Sequence, residues 1–349
     1  MTGDTILTII YAIIILLLLI FVHEIGHLVS AKLTGVRVNE FALGMGPKLF
    51  SFQKGETKYA FRAIPFGGFC AMEGEDDDSQ DGRAFCNKPA RIRALILFAG
   101  SLMNVLLAIL LLSVVIFYVG EPTRVLKTVD EQTPAYADGL RAGDEIVEIN
   151  GNKVSGWNDI SPILRGIVQE DASGDPPLAI KVKRDGAELT INTRFFIDEA
   201  GGMKLGITPK FGRSLPFFFK SFKYGAQATV MMGQMMYDVL GDLFTGKAGI
   251  DMLTGPVGIV VTVGDMAQHG MIYLVQLTAL ISLNLAIVNL LPFPALDGGR
   301  LVFLVIRKIT GKAITNEVEG RVHLIGIIVL FAFMALITMQ DIGRFFINN

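Results

Sequence analysis

This 349-residue chain has four histidines, two cysteines and one tryptophan. Two cysteines, Cys70 and Cys86, cannot build a disulfide framework, so the small disulfide-stapled secreted classes are excluded and both are read as unpaired thiols. Charge is thin as well: 18% of residues are charged against 51% hydrophobic, with a net charge of −2. That balance excludes an ordinary soluble two-domain protein and gives no sign of a nucleic-acid partner. The N-terminal apolar run lacks a basic leading region and a small-residue cleavage site, so it is read as a retained span rather than a signal peptide.

Long apolar runs are what the chain has instead. Four stretches, about Ile6–Leu33, Leu95–Val119, Met271–Leu296 and Leu324–Met339, approach or exceed the roughly 20 residues needed to cross a bilayer. Basic residues crowd the loop from Lys32 to Arg93, and Arg300, Arg307, Lys308, Lys312 and Arg321 occupy the last loop, so both loops are expected on the cytoplasmic side. The N-terminus, the long segment from Gly120 to His269 and the C-terminus are then expected outside, facing the lipid bilayer's other surface.

Two of the four histidines lie inside the first run, in His23-Glu24-Ile25-Gly26-His27. Positions i and i+4 share a helix face, so both imidazoles can reach one metal ion while Glu24 lies beside them, the arrangement of zinc hydrolases. Ionisable groups inside a membrane segment are costly and need a compensating partner such as a metal. A catalytic zinc takes three protein ligands and keeps one position open for water. At about 1.5 Å per residue from Ile6, the pair lies roughly 26 to 32 Å along the helix, toward the cytoplasmic side of a core about 30 Å thick.

Asp297 would lie about 39 Å along a straight helix from Met271, and reaches the same level only if that helix tilts or breaks. Pro292 and Pro294, within Asn289-Leu290-Leu291-Pro292-Phe293-Pro294-Ala295-Leu296-Asp297-Gly298-Gly299, supply the break, so Asp297 is the expected third ligand. Its alternative is an interfacial carboxylate or a helix cap. His323, near the inner face, is a sterically possible competitor, whereas His269 is expected outside. Asn284 and Asn289 are amides on an apolar span; Asn289, beside the break, is the better candidate to contact a substrate, although hydrogen bonding between helices is the commoner use.

The remaining segments divide the chain into four regions. Residues 1–120 hold the zinc-motif helix, a cytoplasmic-side β-hairpin loop and the second span. In that loop Val36–Leu43, Leu49–Gln53 and Thr57–Ile64 read as strands, with Gly44-Met45-Gly46-Pro47 and Pro65-Phe66-Gly67-Gly68 as breaks, and the acidic cluster Glu73–Asp78 reads as a solvated loop. Residues 121–209 have short β-type runs punctuated by Asn150-Gly151 and Asp185-Gly186. Residues 210–265 include Pro216–Phe244, rich in Phe and Met but carrying Lys220, Lys223, Asp238 and Asp242, which fits an interfacial amphipathic helix better than a fifth crossing. Residues 266–349 hold the third-ligand segment and the fourth span.

Within 121–209, Thr133-Pro134-Ala135, Gly139-Leu140-Arg141-Ala142-Gly143-Asp144-Glu145-Ile146-Val147 and Ile149-Asn150-Gly151 closely resemble a bacterial PDZ domain. Together with His23-Glu24-Ile25-Gly26-His27, Leu296-Asp297-Gly298 and Gly255-Pro256-Val257-Gly258, they make nearly the whole chain resemble the bacterial site-two protease family of the regulator-of-sigma-E type. The implied fold is a polytopic α-helical membrane protein with four transmembrane helices, a membrane-associated β-sheet and one extracytoplasmic PDZ-like α+β domain. The implied activity is that of an intramembrane zinc metalloprotease of the bacterial cytoplasmic membrane, with His23, His27 and Asp297 holding Zn2+, Glu24 as general base and Asn289 touching substrate. Implied substrates are single-span membrane proteins, possible anti-sigma-factor-like ones included, cut in or near the membrane segment. One PDZ-like module departs from the two-PDZ members. A non-proteolytic membrane PDZ scaffold and a metal transporter are the rival classes; the presence of Glu24 and Asp297 counts against the first, and the catalytic spacing of Glu24 against the second.

Overall fold

Helix α1 (Gly3–Leu33) is unbroken over 31 residues, about 46 Å at 1.5 Å per residue. The computed structural model describes residues 3–170, 176–197, 203–249, 253–310 and 316–347. Its chain divides into two units, one formed by Met1–Val115 with Phe222–Asn349 and the other by Ile116–Ser221.

In the first unit, α1 leads into a long hairpin, β1 (Val38–Lys54) and β2 (Thr57–Met72). Residues 40–43 pair with 68–71 in descending order on one side and with 58–61 in ascending order on the other, while 48–54 pair with 57–62. The expected glycine breaks are where pairing shifts, and Gly44, Gly46 and Gly67 all have positive φ. The run 68–72, unread as a strand in the sequence because it follows Gly67-Gly68, is the outer strand on the side nearest α1. Val36, Val38, Phe41, Cys70 and Met72 bury their side chains with Ala31 of α1 and with Ile96 and Leu97 of α2 (Ala90–Val119). Cys70 and Cys86 are unpaired, and burial pushes the Cys70 thiol up from its ordinary range.

The second unit is a β-rich module. Strands β3 (Glu121–Val129), β4 (Glu145–Ile149) with the short β5 (Asn152–Lys153), β6 (Leu178–Arg184), β7 (Ala187–Thr193) and β10 (Ile207–Gly212) form one sheet in the order β10-β3-β4-β6-β7, with β5 paired to β4. The two-residue strands β8 (Phe196–Ile197) and β9 (Met203–Lys204) pair separately. Helices α3 (Pro134–Ala137) and α4 (Trp157–Glu170) complete it. Leu178, Ile180 and Val182 alternate inward along β6 onto Leu126, Ile146 and Ile149, while Ile160, Leu164 and Ile167 of α4 pack on the same core. Asp185 and Gly186, both at positive φ, close the β6–β7 hairpin with Arg184 opposite Ala187.

Helix α5 (Leu215–Phe244) follows, and α6 (Pro256–His269), α7 (Met271–Asn289), α8 (Asp297–Thr310) and α9 (Asn316–Ile342) finish the first unit. The charges on α5, at Lys220, Lys223, Asp238 and Asp242, are all exposed, while Met232, Met236 and Leu240 pack on Ala108, Leu283 and Ile287. Among the described residues, four helices are long and apolar enough to cross a membrane: Thr5–Leu33, Ala90–Val119, Met271–Asn289 and Val318–Phe345. The third is shorter than the stretch ending at Leu296 that the sequence suggested, because the helix stops at Asn289 ahead of the two prolines. The fourth begins earlier than Leu324, because Glu319 finds a partner in Arg307 and the helix continues through its charged start.

Candidate metal centre

Helices α1 and α2 cross with their backbones in contact. A Cβ at Gly26 would collide with the Ala99 carbonyl, and a Cβ at Gly100 would collide with His27 Nε2 and lie 2.8 Å from His23 Cε1. Only glycine at both positions permits this approach. Ile96, Gly100 and Asn104 recur every four residues along one face of α2, matching the four-residue spacing of His23 and His27 on α1.

Each imidazole is keyed by α2. His27 Nδ1–H donates to the Ile96 carbonyl at 2.9 Å, which leaves Nε2 as the free lone pair. His23 Nδ1 lies 3.4 Å from Asn104 Nδ2, and Asn104 Oδ1 is buried without a partner among the described residues. Turning that amide over sets Oδ1 to accept from His23 Nδ1–H, satisfies both groups and frees His23 Nε2 as well. Asn104 was not singled out in the sequence; the signal was available in its place eight residues after Ile96 on an apolar helix, but it needs the α1–α2 register to be read.

Asp297 opens α8 and completes the cluster. Its Oδ2 lies 3.2 Å from His23 Nε2 and 3.3 Å from His27 Nε2, and the two Nε2 atoms are 3.2 Å apart. Three electron-pair donors thus converge in a nearly equilateral triangle, and Asp297 Oδ2 is buried without a hydrogen-bond donor among the described residues. The break between α7 and α8 brings Asp297 here: Gly298 and Gly299 pack so tightly on the carbonyls of Leu291 and Phe293 that a Cβ would not fit.

His23, Glu24, His27, Asn289 and Asp297 all line one cavity of about 680 Å³, together with the outer strand Gly68–Met72. Gly68 packs on Glu24, its Cβ position lying 3.2 Å from Glu24 Cγ. Of the other sequence candidates, Asn284 is exposed on α7 and His269 is exposed at the end of α6, with its Nδ1 against the Asp265 carbonyl. His323 is outside the triangle and accepts a hydrogen bond from Ala295 N. The acidic cluster is only partly solvated, since Arg300 of α8 donates to Glu75 at 2.5 Å and to Asp76 at 3.0 Å, and Glu75 also accepts from Met72 N. Burial pushes the Glu75 carboxyl up, against the lowering effect of Arg300.

The sequence profile of peptidase family M50 matches residues 11–333. The chain belongs to peptidase family M50. A Clostridium acetobutylicum protein that carries a zinc-metalloprotease name is similar to this M50 chain at 38% identity, over 93% of this chain and 94% of its own. Zinc metalloprotease RasP of Geobacillus kaustophilus is 31% identical over 99% of this chain and 100% of its own. Regulator of sigma-W protease RasP of Bacillus subtilis is 31% identical over 97% and 99%. Among solved structures, the PDZ domain of an SdrC-like protein from Listeria monocytogenes aligns with 26% of this chain and 88% of its own at 27% identity, with a TM-score of 0.20, too loose to assign a fold.

This M50 chain is a zinc metalloprotease and a membrane protein. Its donor set fits the metal: tetrahedral zinc with bonds of about 2.0–2.2 Å sets its ligand atoms roughly 3.3–3.5 Å apart, close to the triangle's edges. Two neutral imidazoles and one carboxylate leave a fourth position for water or substrate.

Proposed function

We propose that His23, His27 and Asp297 hold the zinc, that Glu24 is the general base, and that the enzyme cuts single-span membrane proteins in or beside their membrane segment. The observation that carries this reading is the placement of Glu24 in the same cavity as the three-donor triangle, within a helix long and apolar enough to span a bilayer. When bound, zinc supplies the Lewis acidity that polarises a peptide carbonyl and eases deprotonation of water. Glu24 takes the proton of the attacking water on its carboxylate and passes it to the leaving amine. Asn289, at the end of α7, offers its amide to the substrate backbone in that cavity.

A helical substrate must unwind before its backbone can react, which exposes donors and acceptors. The strand Gly68–Met72 is paired with residues 38–43 and also lines the cavity, so an extended substrate can add to it as a further strand. Sequence motifs support reading the second unit as PDZ-like, acting outside the membrane by capturing a peptide terminus or by obstructing bulky substrate domains.

Cleavage of a reconstituted single-span substrate by the full-length enzyme, with the products mapped by mass spectrometry, tests the reading. The cut is expected in or within a few residues of the span, and Asp297→Ala is expected to lose both zinc and cleavage. Zinc retained at wild-type stoichiometry by Asp297→Ala would remove it from the ligand set. For orientation, the basic loops support cytoplasmic placement of the hairpin and of the α8–α9 connection. Reporters at Asp76 and at Lys312, which lies outside the described residues, are therefore expected inside and reporters near Asn152 and the C-terminus outside; an external signal at Lys312 would mean that α5 spans the bilayer.

A further inference from the structure

The loop that delivers Asp297 holds a backbone conformation that its own sequence disfavours. Ala295 has φ of +85°, in the left-handed half of the map that a residue with a Cβ rarely adopts, and such strain persists only where the surroundings impose it. Helix α9 supplies those surroundings. His323 Nδ1 accepts the Ala295 N–H at 2.9 Å, and one turn further on Gly326 packs against Pro294, its Cβ position 2.5 Å from the Pro294 carbonyl oxygen.

Accepting at Nδ1 fixes the His323 proton on Nε2. That atom is buried and lies 3.9 Å from Glu319 Oε1, while Glu319 Oε2 accepts from Arg307 of α8 at 2.5 Å. Helix α9 therefore grips the loop just before Asp297 and also the helix that Asp297 opens. We propose that His323 is a positioning residue: by accepting the Ala295 N–H it holds the strained turn that aims Asp297 at His23 and His27. The sequence allowed His323 as a rival zinc ligand; its role is instead to set the direction of the ligand that is used. This inference rests on the reading of Asp297 as the third ligand.

The test is zinc affinity of the full-length protein in detergent, measured by chelator competition, with thermal unfolding as the check on folding. His323→Leu is expected to weaken zinc binding roughly tenfold, the lower end of the range for loss of an outer hydrogen bond in a metal site. His323→Asn, whose Oδ1 can replace Nδ1 as acceptor, is expected to bind zinc close to the wild type. Glycine adopts positive φ without strain, so Ala295→Gly introduced into His323→Leu is expected to restore affinity. A merely structural histidine would not be rescued at position 295.

Wild-type affinity in a folded His323→Leu, or failure of Ala295→Gly to restore affinity, overturns the proposal. If His323→Leu does not fold, the double variant decides: folded with wild-type zinc affinity it supports the proposal, and weak or unfolded it overturns it. Asp297→Ala separates the two levels. Undiminished affinity in Asp297→Ala removes the ligand reading itself, whereas loss there with no change in His323→Leu removes only the role of His323.

Discussion

Glu24→Gln is expected to keep a full complement of zinc and to lose peptide hydrolysis by at least about 10³-fold, close to 4 kcal/mol in the barrier. Glutamine matches glutamate in size, so the packing of Glu24 on Gly68 survives. The triangle consists of His23, His27 and Asp297, and Glu24 is not one of its donors. What disappears is the group that can hold a proton between water and leaving amine. Glu75, which also lines the cavity, is engaged by Arg300 and by Met72 N and is not poised to take over. Metal content by mass spectrometry and turnover of a single-span substrate check the prediction. Turnover near the wild type would place the base elsewhere.

Gly100→Ala is expected to be nearly as damaging, through a different route. A methyl group there would lie 2.8 Å from His23 Cε1 and overlap His27 Nε2, so the two imidazoles must part or α2 must withdraw. Withdrawal also lengthens the Ile96 carbonyl contact that orients His27. Zinc affinity is expected to fall by about 100-fold, the upper end for disturbance of groups that orient metal ligands. Truncation two residues away at Leu102, on the exposed face of α2, should leave it unchanged. Equilibrium dialysis against a zinc buffer distinguishes the two, and a Gly100→Ala protein with undiminished affinity would show that the crossing can relax.

The parts of the centre legible in the sequence are those carried by local spacing. The i, i+4 histidines with Glu24 between them need only helical periodicity, and the two prolines after Asn289 announce a break wherever the segment lies. Glycine hides the rest. Gly26 and Gly100 have no side chain to display a pattern, yet they set the helix crossing; Gly67-Gly68 reads as an interruption, although the chain resumes pairing at once and makes the strand beside Glu24. Asn104, Arg300 and His323 act across distances of 81, 225 and 28 residues to His23, Glu75 and Ala295, and no periodic signal spans such separations. Glu75 shows the same limit from the other side: within a run of acids it looks solvated until its arginine is found.

The triangle of donors draws on both ends of the chain, with His23 and His27 in the first helix and Asp297 near the last. Ribosomes add about 5–20 residues per second, so the roughly 270 residues between His27 and Asp297 take about 14 to 54 s to synthesise. Throughout that interval the nascent protein carries two of the three proposed zinc ligands and no third. On the proposed ligand set, peptidase activity therefore waits until the segment that opens α8 has joined α1.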